Sequence, residues 1–434
     1  MMLDLLITGG TVIPVDEEGS VYDPGLVAIK GQEILYVGPA GEGLPADWKA
    51  RRVIKAENKL VLPGLVNGHT HAAMVLFRGY ADDLVLQEWL ENKIWPLESK
   101  LSAEAVYWGT LLAIGEMLLA GITAFADMYF FPDAIAQAVA EAGIRAAIAP
   151  GLIGVSPDAA VRLREAIGFC QEWNGAADGR ITTMLGPHAP YTCSPEYLAQ
   201  SLAAARDLEV GIHIHLAETE TEIKQIKDQY GVSPIAYLCQ QDLNNLHILA
   251  AHCVHLEEAD IDLLAQNNIH VVHNPGSNLK LASGIAPLPQ LLGAGVLVAL
   301  GTDGAASNNN LDILEEARLA ALIHKGYSGQ PTVIPAAEAL KMATANGAAA
   351  LGLAETCGRL QAGMKADLII VDREQPHLYP RFNPLSALIY SARSSDVDTV
   401  IVDGKIVVEG GELCTLDREK IMYMVESHAQ KLLR

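Results

Sequence analysis

The chain has 434 residues, half of them hydrophobic, and a formal net charge of −22. This length exceeds one ordinary domain and leaves room for a large buried core, such as that of a barrel. So acidic a chain, with no run of Lys or Arg longer than a pair, would repel phosphate backbones and anionic lipids, so we expect a small-molecule ligand and neither a nucleic-acid nor a membrane partner.

The N-terminal residues predict a first strand rather than a signal peptide. The sequence MMLDLLITGGTVI has no basic region, and its apolar run stops at Gly9 and Gly10. No apolar run in the chain reaches about 18 residues without a charge or a break, the length that spans a bilayer. The six cysteines are scattered and form no CxxC pair, which is typical of a reduced, cytoplasmic protein rather than a disulfide framework.

Short β-type runs fill both ends of the chain. Residues 1–60 alternate such runs with Gly, Pro and Asn turns, and residues 361–434 repeat the pattern in ADLIIVD and VDTVIVDGKIVVEGGEL. Neither end has enough strands for a stable sheet by itself. We therefore predict one small β-sandwich built from residues 1–60 and 361–434, with a C-terminal helix, beside a catalytic domain of residues 61–360.

The middle of the chain alternates strand-like and helix-like segments. Eight near-continuous apolar runs are each followed by an amphipathic stretch, such as residues 102–120 or 194–209. This order predicts an α/β fold, a parallel (β/α)₈ TIM-type barrel, with a doubly wound sheet as the alternative because one sequence does not give the strand order. The predicted strands are residues 61–67, 121–128, 145–152, 181–189, 210–218, 246–253, 269–275 and 296–303.

Polar, titratable side chains stand at the carboxyl ends of six of these strands. In a (β/α)₈ barrel those ends form one rim, where catalytic groups gather. The pattern therefore predicts a single site at the rim. Its members are His69 and His71 after the first strand, His188 after the fourth, His215 and Glu218 after the fifth, His252 after the sixth, His273 after the seventh and Asp303 after the eighth.

Four of these residues predict a metal site. His69 and His71 are two residues apart, so on a strand they point to the same side, roughly 6–7 Å from each other. Both can lean towards one ion, and His215 and Asp303 would complete a shell of three imidazoles and one carboxylate. Nitrogen and oxygen ligands with an open position are typical of a catalytic zinc site, although iron or manganese fits the same ligands.

A buried histidine is more often a hydrogen-bonded core residue than a ligand, and this interpretation has to be weighed. It suits His213, one layer deeper than His215, and also His247 and His270. It does not suit the four predicted ligands taken together. Leaving that many desolvated polar groups unpaired at one rim would cost on the order of several kcal/mol.

Six motifs carry a resemblance to a known family. They are PGLVNGHTHAAM, GPHAPYTCS, IHIHLAET, AHCVHL, HNPGSNLKLASG and GTDGAASNNNLD. They resemble the amidohydrolase superfamily and, within it, the 5-methylthioadenosine/S-adenosylhomocysteine deaminases. HxH after the first strand with Asp after the eighth is typical of the superfamily, and HLAET with GTDGAASNN is more specific for its aminohydrolase branch. The resemblance covers nearly the whole chain, including the closing GRLQAGMKADLIIVD.

The resemblance implies hydrolytic deamination of 5′-methylthioadenosine and S-adenosylhomocysteine, with adenosine as a further substrate, to the inosine analogues and ammonia. One divalent ion at the four predicted ligands, most simply Zn²⁺, would lower the pKa of bound water towards about 7. A single ion is implied because the fourth strand ends in LGPHAP, without the lysine that bridges two ions in binuclear relatives. Asp303 and His252 would assist the attacking water, and Glu218 would carry a proton to the ring nitrogen beside the attacked carbon.

The resemblance also implies substrate contacts. Trp89 and Glu98 match positions that pack on the nucleoside and bind the ribose hydroxyls, an arrangement that suits a carboxylate facing a cis-diol. Arg162 aligns with an arginine that binds the homocysteine carboxylate, but a second family arginine has no counterpart in APGLIGVSPDA. The implied substrate contacts are Trp89, Glu98, Arg162, His188, Glu218 and Ser307.

Two alternatives stay open from the sequence. One is another substrate of the same branch, namely guanine, a pterin, cytosine or an s-triazine. Glu218 argues for a deaminase over a dehalogenating triazine hydrolase, because superfamily hydrolases that do not protonate a heteroaromatic ring often lack this glutamate. The other is a metal-free barrel that acts as a scaffold, although such proteins typically lose the ligands that are present here. Because superfamily relatives commonly form dimers or tetramers, we also expect a homo-oligomer.

Overall fold

Eight parallel strands form the centre of the molecule. The computed structural model describes residues 1–41, 45 and 47–433. In this part of the chain each barrel strand pairs in parallel with the strand before it in sequence. The barrel strands, from first to eighth, are Leu65–Thr70, Ile122–Tyr129, Arg145–Leu152, Ile181–Pro187, Gly211–Leu216, Ile248–His252, His270–His273 and Val298–Leu300.

The chain after the eighth strand returns to the first, which closes the barrel. The backbone N–H of Asp303 donates to the carbonyl oxygen of His69 at 2.9 Å. Gly68 allows this close approach, because a Cβ added there would lie 2.9 Å from the carbonyl oxygen of Leu300. The predicted (β/α)₈ barrel is therefore confirmed, and the doubly wound alternative is wrong.

The first predicted strand, residues 61–67, is wrong in its bounds. These residues belong to two strands, Lys59–Pro63 in a terminal sheet and Leu65–Thr70 in the barrel. Gly64 separates them, and a Cβ there would lie 2.0 Å from Thr123 Oγ1. One continuous apolar run thus hides a change of sheet, because both strands are buried and periodicity does not tell them apart.

Helices cover the outside of the barrel. Helix Ala103–Leu119 begins after Ser102, whose hydroxyl accepts the N–H of Ala105 at 3.2 Å, the usual role of serine at this position. Across the described residues no helix is both long and apolar enough to cross a bilayer. The α-helices are Leu86–Trp89, Trp95–Glu98, Ala103–Leu119, Pro132–Ala142, Ala159–Trp173, Ala176–Gly179, Pro195–Asp207, Glu220–Tyr230, Pro234–Cys239, Glu258–Gln266, Pro275–Lys280, Leu288–Gly293, Ile313–Ser328, Ala336–Met342, Ala345–Ala350, Pro384–Tyr390 and Arg418–Leu432.

Two further sheets, built from both ends of the chain, pack into a small sandwich. Leu5 and Ile7 of one sheet share a buried core with Ile370 and Ile401 of the other. The predicted sandwich is confirmed with the fold, whereas the division at residues 60 and 360 stays a prediction. The four-stranded sheet contains Met2–Thr8, Gly25–Lys30, Glu33–Pro39 and Lys49–Lys55, and the six-stranded sheet contains Thr11–Val12, Lys59–Pro63, Leu368–Asp372, Val397–Val402, Lys405–Glu409 and Glu412–Leu413.

Candidate active site

The carboxyl ends of the barrel strands bring the four predicted metal ligands together. His69 Nε2 and His71 Nε2 lie 3.5 Å and 3.3 Å from Asp303 Oδ1. His71 Nε2 also lies 3.3 Å from His215 Nε2. Each of the four side chains therefore presents one nitrogen or oxygen atom to a common centre.

Hydrogen bonds on the far side of two imidazoles fix their orientation. His71 Nδ1 lies 2.6 Å from the carbonyl oxygen of Met128, and His215 Nδ1 lies 2.8 Å from that of His188. Because a carbonyl oxygen only accepts, each Nδ1 carries a hydrogen and the neutral ring has its lone pair on Nε2. Two lone pairs thus face each other across 3.3 Å, an arrangement that repels unless a cation lies between them.

The orientation of His69 is fixed by His213, a histidine that the sequence pattern predicts to be a core residue. His69 Nδ1 lies 2.7 Å from His213 Nε2, and both side chains are buried. Burial lowers the pKa of His69 to about 3, so the ring is neutral. Its buried Nε2 makes no hydrogen bond among the described residues. An unbonded imidazole nitrogen that faces other donors is what a metal ligand requires, so the residues fit a bound cation.

Three donors hold the carboxylate of Asp303. Ser277 Oγ and Ser307 Oγ donate to Oδ2 at 2.6 Å and 2.7 Å, and the N–H of Gly304 donates to Oδ1 at 2.7 Å. Burial acts to raise the pKa of Asp303, but the neighbouring His69 and the other histidines outweigh it and hold the pKa well below its usual range. The carboxylate is therefore ionised and oriented. Ser307, predicted as a substrate contact, also serves this orientation.

Left-handed backbone occurs at three of the same strand ends. Ala217, His252 and Asp303 follow or end the fifth, sixth and eighth strands with φ angles of +53°, +76° and +60°. Such left-handed backbone costs non-glycine residues roughly 1–3 kcal/mol each and persists where the surrounding structure holds it. The strain aims the side chains of this rim and supports its role as a functional site.

Glu218 and His252 face each other beside the ligands. Glu218 Oε2 lies 3.9 Å from His252 Nε2, and His252 Nδ1 is hydrogen-bonded to Asn278 Oδ1 at 2.9 Å. Burial raises the pKa of Glu218. Burial acts to lower the pKa of His252, but the charges of Glu218 and Asp303 outweigh it and raise the pKa. The pair is thus arranged to exchange protons nearer to neutral pH than free side chains would.

Glu222, which the sequence analysis missed, anchors the turn that carries Glu218. Its carboxylate accepts the N–H groups of Ala217 and Glu218 at 3.0 Å and 2.8 Å. Burial raises its pKa to about 7. The available signal was the helix-start pattern Thr219-x-x-Glu222, since a glutamate at this position often reaches back to backbone N–H groups.

A cleft of about 780 Å³, part of it open to solvent, lies above these residues. Glu98 Oε1 accepts the hydroxyl of Tyr129 at 2.8 Å, and burial raises the pKa of Glu98. Tyr129 was not predicted, because nothing in the sequence shows that the end of the second strand faces Glu98. The predicted substrate contacts that line the cleft are Trp89, Glu98, His188, Glu218 and Ser307.

The predicted substrate contact Arg162 and the predicted rim residue His273 lie away from the cleft. The side chain of Arg162, on helix Ala159–Trp173, is 61% exposed and forms ion pairs with Asp158 at 2.9 Å and Glu165 at 3.3 Å. The structure therefore does not bring Arg162 to the other substrate contacts, because its guanidinium is held by acidic neighbours in sequence. His273 turns outward, with its Nε2 3.4 Å from His324 Nε2.

Comparisons with known proteins identify the family. Residues 60–407 match the model of the amidohydrolase family. A protein of Moorella thermoacetica is 54% identical over 427 residues, which cover 98% of this chain and 99% of that protein. One of Pelotomaculum thermopropionicum is 51% identical over 432 residues, covering 100% of this chain and 99% of that protein. Both are named 5-methylthioadenosine/S-adenosylhomocysteine deaminase.

Solved structures agree in fold. An adenosine deaminase from Xanthomonas campestris with bound zinc is 35% identical, covers 99% of both chains and superposes with a TM-score of 0.93. The atrazine chlorohydrolase TrzN from Arthrobacter aurescens, complexed with zinc, is 25% identical with a TM-score of 0.89, and the match covers 99% of this chain and 100% of that one. The chain therefore belongs to the amidohydrolase family of metal-dependent hydrolases and, within it, to the 5-methylthioadenosine/S-adenosylhomocysteine deaminases.

Proposed function

We propose that the chain hydrolyses the 6-amino group of 5′-methylthioadenosine and S-adenosylhomocysteine, releasing ammonia and the corresponding inosine derivatives. The observation that carries this function is the convergence of three imidazoles and Asp303 beside the buried Glu218, in a partly open cleft. The names of relatives that share about half of their residues with this chain support the same substrates.

We assign one divalent ion, zinc, to His69, His71, His215 and Asp303. The three nitrogen donors and one oxygen donor suit zinc, and iron or manganese would accept the same set. The fourth strand ends at Pro187 and offers no lysine to bridge a second ion. When bound, such a cation acts as a Lewis acid and lowers the pKa of water to near 7.

Asp303, with His252 beside it, accepts the proton that the attacking water loses. The Asp303 carboxylate is ionised, and its Oδ1 faces the cluster while Ser277 and Ser307 hold its Oδ2. With Nδ1 on Asn278, His252 directs Nε2 towards Glu218. The two residues thus flank the place where water adds to the ring.

Glu218 supplies the proton that makes the adenine ring reactive. As the oxygen of water bonds to C6, a proton from Glu218 reaches N1, so the ring loses aromaticity without a build-up of charge. The C6–N bond then breaks, and the amino group leaves as ammonia with the water-derived proton. The turn held by Glu222 keeps Glu218 in place, and burial raises the Glu218 pKa so that it can give a proton and take it back.

The remaining predicted contacts position the nucleoside. Glu98 is oriented by the Tyr129 hydroxyl, and its second oxygen, which accepts no hydrogen bond among the described residues, can face the ribose diol. Trp89 lines the cleft, and its indole N–H donates to the Ala81 carbonyl at 3.0 Å, which fixes the ring. We assign purine or ribose contacts to His188 as well.

An assay of ammonia release from a substrate panel tests this function. The panel contains adenosine, 5′-methylthioadenosine, S-adenosylhomocysteine, guanine, cytosine and an s-triazine, each measured before and after treatment with a chelator and after return of zinc. We expect turnover of the adenosine derivatives, loss on chelation and recovery with zinc. Turnover of guanine or the triazine with inert adenosine derivatives would contradict the proposal.

We also infer a cytoplasmic location and a homo-oligomer. All six cysteines are free, and four of them are buried, which suits a reducing compartment. We expect a dimer or tetramer because superfamily relatives commonly form these oligomers. Light scattering of the purified chain would measure its mass directly, and a monomer would contradict the expectation.

A further inference from the structure

We propose that the cleft selects the 5′-substituent by charge and favours an uncharged thioether, as in 5′-methylthioadenosine, over the zwitterionic amino-acid tail of S-adenosylhomocysteine. This inference rests on the proposed function, because it ranks two substrates of the same site. It concerns the part of the substrate away from the reacting carbon.

The cleft offers no cationic side chain to a carboxylate. Among the described residues that line it there is no lysine and no arginine, whereas Glu98, Glu218 and Asp303 contribute carboxyl groups. A substrate carboxylate that entered this space would lose water without gaining a partner of opposite charge. The acidic side chains that line the cleft would also repel this carboxylate.

Two cations close to the cleft along the chain, Lys280 and Arg162, are already engaged. Lys280 precedes the lining residue Leu281, but its Nζ bonds to Asp82 at 2.6 Å and also to Asn309. Arg162, the arginine aligned with the family's carboxylate site, is exposed and paired with two acidic neighbours. Redirecting either cation would break an ion pair that exists before substrate binds.

The rest of the wall suits an alkyl group. Apolar side chains form most of the lining beyond the catalytic residues, and burial of apolar surface favours an S-alkyl substituent. The apolar lining includes Leu86, Leu90, Trp95, Phe130, Ile153 and Leu281.

A series of three substrates tests charge separately from length. kcat/KM is measured for 5′-methylthioadenosine, for 5′-S-butylthioadenosine, which is about as long as the homocysteine derivative but uncharged, and for S-adenosylhomocysteine. We expect the two uncharged substrates to agree within about 3-fold and S-adenosylhomocysteine to be at least about 10-fold worse, since unpaired burial of a charged group is strongly unfavourable.

Equal or better use of S-adenosylhomocysteine would overturn the inference. So would a butyl derivative as poor as S-adenosylhomocysteine, because length rather than charge would then limit binding. Failure of all three substrates to release ammonia would instead reject the proposed function, so the two failures are distinguishable.

A pair of arginine variants provides the second test. Arg162→Ala removes the aligned arginine, and Arg164→Ala removes an exposed arginine of the same helix as a matched control. We expect both variants to keep the wild-type ratio of kcat/KM between S-adenosylhomocysteine and 5′-methylthioadenosine. A fall of 10-fold or more in that ratio for Arg162→Ala alone would show that Arg162 reaches the tail and would overturn the inference.

Discussion

Two clusters of buried polar side chains, at opposite ends of the barrel, differ in how they are satisfied. At the amino end of the third strand, Arg145 donates to Asp367 at 2.8 Å and 3.2 Å and to Asp403 at 2.6 Å. At the carboxyl end, the predicted metal ligands have no cationic side chain among them, and His69 Nε2 is buried without a hydrogen bond. In the first cluster the cation of Arg145 pairs with the buried carboxylates, whereas the second has no such partner in the described chain and requires a ligand.

The difference separates a structural role from a chemical one. Asp367 and Asp403 flank strands of the terminal sheet, so the Arg145 cluster fastens the sandwich to the barrel. The metal-ligand cluster instead borders the cleft, which is lined by His71, His215 and Asp303. Substitutions in the first cluster are expected to change stability, and substitutions in the second to change activity.

The largest expected effect follows from removing the only carboxylate of the metal-ligand cluster. Asp303→Asn is expected to lose bound metal and to lower kcat by at least about 10⁴-fold, the upper range for loss of an acid–base group. Metal content and ammonia release measure it, with the exposed Asp262→Asn as control. An Asp303→Asn chain with wild-type metal content and turnover would contradict the assignment.

Glu218→Gln is expected to lower turnover without changing metal content, because Glu218 takes part in the chemistry but is not a metal ligand. The variant keeps the four ligands but has no transferable proton, so kcat should fall by roughly 10²–10⁴-fold while metal content stays at the wild-type value. The control is Glu220→Gln, which changes an exposed glutamate two residues along the chain. Wild-type turnover in Glu218→Gln would remove Glu218 from the mechanism.

The structural cluster is tested by Arg145→Met, which leaves Asp367 and Asp403 buried without their cation. Breaking a buried ion-pair network in this way costs about 3–5 kcal/mol, so the unfolding temperature should fall clearly. The exposed Arg51, paired with Asp4, provides the control Arg51→Ala, for which a loss of about 1 kcal/mol or less is expected. Folded Arg145→Met should retain metal, and loss of metal with unchanged stability would reverse the roles given to the two clusters.

A smaller, pH-dependent effect is expected from a third buried pair, His273 and His324. Burial lowers their pKa values to about 3 and about 4, from 6.5. A lowered histidine pKa gives stability that is complete above pH 6.5 and is lost as pH falls towards the folded values, by about 1.4 kcal/mol per pH unit for each group. His324→Gln should therefore lose about 1 kcal/mol less than wild type between pH 7 and 5.5 in denaturant unfolding. An equal loss in both chains would contradict this account.

Much of the fold can be predicted from the sequence because each strand and helix has its own local pattern of apolar and polar residues. Continuous apolar runs followed by amphipathic stretches predict the barrel, and polar residues after the runs predict the rim with His69, His71, His215 and Asp303. The bound at residue 61 was wrong because two buried strands meet at Gly64 with no polar residue between them.

The supporting residues could not be predicted, because their partners are distant in sequence. His213 contacts His69 across 144 positions, and Ser277 reaches Asp303 from the helix that follows another strand. Arg162 shows the opposite difficulty, since an aligned helix position does not reveal the direction in which its side chain points. Contacts between strand-end loops depend on the closed barrel and have no local signal.

Metal quantification of the purified wild-type chain tests the central claim, that the unpaired imidazoles and Asp303 hold one cation. We predict close to one zinc, iron or manganese ion per chain, removed by a chelator and restored on reloading. Substantially less than one ion per chain after reloading, or two ions per chain, would contradict the account.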